Sequence, residues 1–190
     1  GATIAIEPNT GAVTVAWRRF TRPGSTQTDA IMVAQSLTLG RVFGLAQSVR
    51  KLPRLKSLVR VLESILEHRR QQGGVAIEEL TEFDAGTAPS TTNPNAIQSR
   101  TNTYPTMAWD DRGRLYVAWT ERGFSTSPDV TRRDPLTGDS KIVMSSALLG
   151  LAWSAPKAVS ETSTSGHQFM PSLAFAGGKL LLVYYDLRED

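Results

Sequence analysis

Apolar residues recur along this chain in short alternating runs, and three of the runs share one layout. They are "ATIAIEPNTGAVTVAWRR" from Ala2, "PTMAWDDRGRLYVAWTER" from Pro105 and "PSLAFAGGKLLLVYYDLR" from Pro171. Each is an apolar strand centred on an alanine (Ala5, Ala108, Ala174), a turn containing glycine, and a second strand ending on an aromatic (Trp17, Trp119, Tyr185). Alternation with period two predicts strands, and turns rich in Gly, Asn and Asp predict hairpins. The recurrence of the three aromatics at one position suits packing between the repeated units.

A second layout also repeats. "MVAQSLTLGRVFGLAQSV" from Met32 lines up with "IVMSSALLGLAWSAPKAV" from Ile142, each a strand, a turn around Ser-x-x-x-Gly, and a strand opened by Phe43 or Trp153. Hairpin joined to hairpin predicts a four-stranded antiparallel unit, and repeated units of this kind predict an all-β fold of β-propeller type. The chain then holds a first unit at 1–48, a second at 104–160 and half of a third at 161–190. All are parts of one domain whose remaining blades would be its partners, and both ends of the chain read as cut. Within 49–103 the spacing of Leu52, Leu55, Leu58, Val59, Leu62, Ile65 and Leu66 predicts one inserted amphipathic α-helix over about 52–72. The stretch "FDAGTAPSTTNPNAIQSRTNT" after it predicts an irregular loop.

Composition changes this picture in two places. The chain of 190 residues has no cysteine, which removes disulfides and thiolate metal sites, and its two histidines, His68 and His167, lie too far apart in sequence for a ligand motif. The net charge of +3 is uneven. Between Arg50 and Arg70 seven Lys/Arg face two Glu, so the remainder is slightly acidic and does not form an extended nucleic-acid surface. The basic segment 52–70 is expected to lay its apolar side on the sheets, membrane contact being the lesser alternative. No phosphate-binding or metal fingerprint is present, and no cofactor is expected.

The Ser-x-x-x-Gly turns resemble the Asp boxes of the sialidase (neuraminidase) superfamily, which read Ser-x-Asp-x-Gly-x-Thr-Trp. The matching positions are Ser146, Leu148, Gly150, Ala152 and Trp153, and Ser36, Thr38, Gly40, Val42 and Phe43. "SSALLGLAW" is then a degenerate box that keeps Ser, Gly and the aromatic and has lost Asp and Thr. Leu148 offers no acceptor to nearby N–H groups, so a looser turn is expected, with its leucines packed on a neighbour. The strands from Phe169 resemble the family's "(F/Y)-R-I-P…L-L-A-F-x-E-x-R" region, and the arginine that grips the substrate carboxylate falls here at Phe169, or at Thr103 one unit earlier. Neither copy carries it.

The resemblance implies a secreted or cell-envelope location, a glycan ligand, and a site on the face where second strands end and the units connect. Arg19, Arg122, Arg188, His167 and Gln168 are the candidate substrate-binding residues there. Arginine clamps a carboxylate bidentately, and a carboxyl group handles protons. Glu121 and Asp186 are the candidate carboxyl groups. Sialidases use a tyrosine nucleophile, for which Tyr185 is the candidate; Tyr184 is adjacent, and only one of the two can face a given side. Two functions follow: an exo-α-sialidase-like glycoside hydrolase acting on acidic glycans, with this stretch by itself inactive, or a non-catalytic module that binds a glycan or a protein.

Overall fold

The computed structural model describes residues 1–20, 29–52, 103–134 and 138–188. The first sheet contains β1 (Ala2–Ile6), β2 (Val13–Arg19), β3 (Asp29–Ser36) and β4 (Gln47–Leu52) in that order, all antiparallel. The second contains β5 (Thr106–Trp109), β6 (Arg114–Arg122), β7 (Ser140–Leu148) and the short β8 (Ala152–Trp153), with β9 (Lys157–Ala158) also pairing β7. The third is the hairpin of β10 (Gln168–Ala176) and β11 (Lys179–Asp186).

The sheets stack face to face with the second in the middle, and the period-two alternation decides what each face holds. On one side of the middle sheet Trp109, Leu115, Val117, Trp119 and Val143 pack against Ala16, Ile31 and Val33 of the first sheet. On its other side Ala108, Ala118 and Ile142 pack against Leu173, with Leu180, Leu182 and Tyr184 beside it. Neighbours in β6 thus go opposite ways, as a pleated strand requires. Trp119, Leu115, Val117 and Ala118 have no exposed surface. The middle sheet is therefore apolar on both faces, which explains the near-continuous apolar run "LYVAW".

The fold-class expectation needs correcting. The described residues are all β, as three separate antiparallel sheets, with no helix among them. The expected helix was to open at Leu52, but Leu52 ends β4, in register with Asp29; backbone pairing claims this residue for the sheet. The rest of that segment, with the basic stretch and the irregular loop, lies outside the described residues. Among the described residues the sheets form a stack, and the expected propeller is not shown.

The hairpin turns follow the sequence closely. In the β5–β6 turn Asp110 Oδ1 accepts from the N–H groups of Arg112 at 2.9 Å and Arg114 at 2.8 Å, and Gly113 takes φ 74°. Glu7 fills the same place between β1 and β2, accepting from Asn9 and Thr10. Both Ser-x-x-x-Gly turns place a leucine and then a glycine in left-handed conformation: Leu39 (54°) and Gly40 (83°), Leu149 (53°) and Gly150 (69°). In the first, Ser36 Oγ accepts from Gly40 N–H at 3.0 Å and Thr38 Oγ1 from Val42 N–H at 2.8 Å, so two side-chain hydroxyls hold the turn. The second is held by backbone instead: Leu149 N–H donates to Gly113 O at 2.8 Å, and Leu148 pairs Ala152. Leu148, Leu149 and Leu151 are exposed, which corrects the expectation that they pack on a neighbour.

Candidate functional site

At one end of the stack, where β2, β6 and β11 finish and β3, β7 and β10 begin, charged side chains gather in sites with little access to water. Between the first and middle sheets, Glu121 has 0% exposure. Its Oε1 accepts from Arg50 Nη2 at 2.9 Å and Nε at 3.2 Å, and its Oε2 from Trp119 Nε1 at 2.8 Å. A buried carboxylate persists because both oxygens are satisfied and a guanidinium balances the charge. Close by, Arg18 donates to Asp29 at 2.9 Å, with both side chains fully buried. The Arg18 guanidinium also lies 4.5 Å from the Phe20 ring centre, and Phe20 meets Tyr104 edge-on at 6.4 Å. Both rings are partly exposed. Arg19, the next residue in β2, is half-buried on the opposite side of the strand from Arg18.

Between the middle and third sheets the cluster is denser. Ser140 N–H donates to His167 Nδ1 at 3.1 Å, and Ser140 Oγ donates to Gln168 O at 3.0 Å. With Nδ1 accepting, the proton of the neutral ring is assigned to Nε2. The pKa of His167 is pushed down to about 4, first by burial and then by the Arg122 charge, with Arg132 and Lys141 adding to it and Asp139 opposing. Asp139 Oδ2 accepts from Gly166 N–H at 2.8 Å, while its Oδ1 meets Arg132 Nη1 at 3.2 Å. Lys141 is fully buried and donates to Thr164 O at 2.9 Å and Gly166 O at 3.2 Å. Burial lowers the pKa of Lys141, against the opposing effect of Asp139, Asp186 and Glu161, and burial likewise lowers that of Arg122. Gln168 Nε2 donates to Asp186 Oδ2 at 3.2 Å, and Asp186 also pairs with Arg188 at 2.6 Å.

The sequence-derived candidates therefore divide into groups. Arg122, His167, Gln168, Asp186 and Arg188 belong to one charged network at the junction of the middle and third sheets. Glu121 lies at the other junction, committed to Arg50 and Trp119. Arg19 stands apart at the end of β2. Tyr185 belongs to neither junction: it faces away from the middle sheet, stacked on Phe169 at 5.6 Å and 64% exposed. Tyr184, not Tyr185, corresponds to Trp119 and packs inward. The run "KLLLVYYD" is apolar on both sides, so its phase could not be read from alternation; pairing out of the Gly177–Gly178 turn, Lys179 with Ala176, sets it.

Arg50, Arg132, Asp139, Ser140 and Lys141 also belong to this end of the stack, beyond the residues the sequence singles out. For the last three a signal existed, because "DSKIV" puts a lysine and an aspartate at the mouth of an apolar strand. Arg50 carried no local signal, since its partner is 71 residues away. Among the described residues no group of three or more His, Cys, Asp or Glu could hold a metal ion. Comparison with known proteins gives no family model and no curated protein that matches this chain.

Proposed function

We propose that this chain is a non-catalytic binding module whose charged strand-end face takes an acidic glycan. The observation that carries this reading is the commitment of Glu121: at 0% exposure, with Arg50 on one oxygen and Trp119 on the other, it has no route to a substrate proton. Tyr185 and Glu121 lie on different sheets and different faces, and a nucleophile and its acid or base need hydrogen-bond reach of one another. What the same end offers a ligand is recognition chemistry. Arg188 and Arg132 are more accessible than Arg50 and Lys141 at this end, and arginine forks match a sugar carboxylate. The Phe20–Tyr104 pair presents apolar ring surface to the C–H face of a sugar.

The test is a glycan array probed with this chain, paired with a fluorogenic sialoside assay. Acidic glycans are retained over neutral ones, retention weakens as salt rises and in Arg188→Ala, and no sugar is released. Glu121→Gln costs ~2 kcal/mol of stability, because Arg50 loses its counter-charge, and leaves retention unchanged. Turnover of the sialoside by the folded chain would restore the hydrolase reading, and equal retention of neutral and acidic glycans would remove the proposed ligand class.

A further inference from the structure

The two outer surfaces of the stack are sheet faces, and they differ in a systematic way. Residues equivalent by register occupy the same position in all three sheets. Ile4 opposite Val15 and Ile6 opposite Val13 in the first sheet match Met107 opposite Val117 and Trp109 opposite Leu115 in the second. In the third they match Leu173 opposite Leu182 and Phe175 opposite Leu180. This is the large-residue face. The reverse face carries a small residue at the head of each strand pair: Ala5 opposite Thr14, Ala108 opposite Tyr116, Ala174 opposite Leu181. At both internal junctions the large-residue face of one sheet lies on the small-residue face of the sheet before it.

Two faces of this pair are left over. The large-residue face of the first sheet is outward, with Ile4 66% exposed and Ile6 beside it. The small-residue face of the third sheet is also outward, with Val183 70% exposed and Leu181 beside it. By register they correspond to the two halves of the junction that the molecule already makes twice, with Val183 where the internal junctions have Ala16 and Ala118. We infer that they dock on one another between two copies of this chain, the first sheet of one copy on the third sheet of the next. One polar contact supports the register. Thr106 Oγ1 accepts from Leu173 N–H at 3.1 Å across the junction of the middle and third sheets. Ser172 stands opposite Val183 as Thr106 stands opposite Ala118, and Ile4 holds the place of Leu173, so Ser172 Oγ accepts from Ile4 N–H in the assembly. Such a contact is heterologous: each copy keeps one free face of each kind, and growth continues until the rotation closes a ring. This inference is independent of the glycan reading.

Sedimentation velocity on the 190-residue chain and two variants tests it. The parent chain forms concentration-dependent species larger than a dimer. Ile4→Glu and Val183→Glu, each altering only one outer face, are monomeric alone. Mixed in equal amounts they give a species of twice the monomer mass and nothing larger, because one intact junction remains. Ile6→Lys and Leu181→Lys serve as a second pair should either glutamate variant lose its far-ultraviolet circular dichroism spectrum. A parent chain monomeric into the submillimolar range would overturn the inference. Continued self-association of either single variant would overturn it too, since that requires a different or a symmetric surface.

Discussion

The N–H of Ser140 donates to His167 Nδ1, and this bond survives only while the ring is uncharged. Arg122 at the end of β6, Arg132 in the following loop and Lys141 in β7 all oppose a proton on that ring, and Asp139 favours it. The folded-state pKa of about 4 lies below the unfolded value, so between pH 6.5 and 4 the unfolded chain binds the proton first. Stability from this residue is fully present above that window and is lost as pH falls through it. The expected loss is roughly 2 kcal/mol after allowance for the partial exposure of the ring. Urea denaturation at a series of pH values checks it: the midpoint of the parent chain falls between pH 6.5 and 4, and His167→Asn flattens that part of the curve. The sequence had marked His167 as a candidate, but its state is set first by burial and then by three cations that folding brings to it. Tyr185 makes the same point from the other side, for its aromatic character was legible and its direction was not.

At the level of single elements, the turns were the best-read parts of the chain and the Ser-x-x-x-Gly pair the most instructive. The sequence marks both turns by their Gly, yet the residue before each glycine, Leu39 or Leu149, also takes a positive φ. For a leucine that conformation costs about 1 kcal/mol, whereas asparagine adopts it more readily. Leu149 is half exposed, so little burial is lost on replacing it. Leu149→Asn is therefore expected to stabilise the chain by ~0.5–1 kcal/mol, seen as a higher urea midpoint with unchanged slope. The end of β4 shows the limit of element-level reading. Leu52 fits the three- and four-residue spacing of the segment after it, but a partner strand at Asp29 takes it first. Periodicity cannot weigh a partner it does not contain.

Across the whole molecule, stability is concentrated in the middle sheet, because among the described sheets it is the one with a neighbour on each side. Trp119 has no exposed surface, packs against the first sheet and supports Glu121 through its indole N–H. Trp119→Ala is expected to cost ~3–5 kcal/mol. The parent chain should melt in one transition, followed equally by circular dichroism and by tryptophan fluorescence; in the variant both should shift downward together. Val183→Ala, on the outer face of the third sheet, should change a dilute monomer by under ~1 kcal/mol. Burial, not residue type, separates these two apolar positions.

From the sequence alone come the strands, their hairpin turns, the threefold repetition and the end of the sheets where charge collects. These are local or periodic properties, set by backbone stereochemistry and by alternation with a period of two. The tertiary structure decided which face of each strand is inner, which carboxylates are already paired, and that Arg50 belongs to Glu121 and Ser140 to His167. Those depend on contacts between residues far apart in the chain, whose energies arise only once separate sheets exclude water between them.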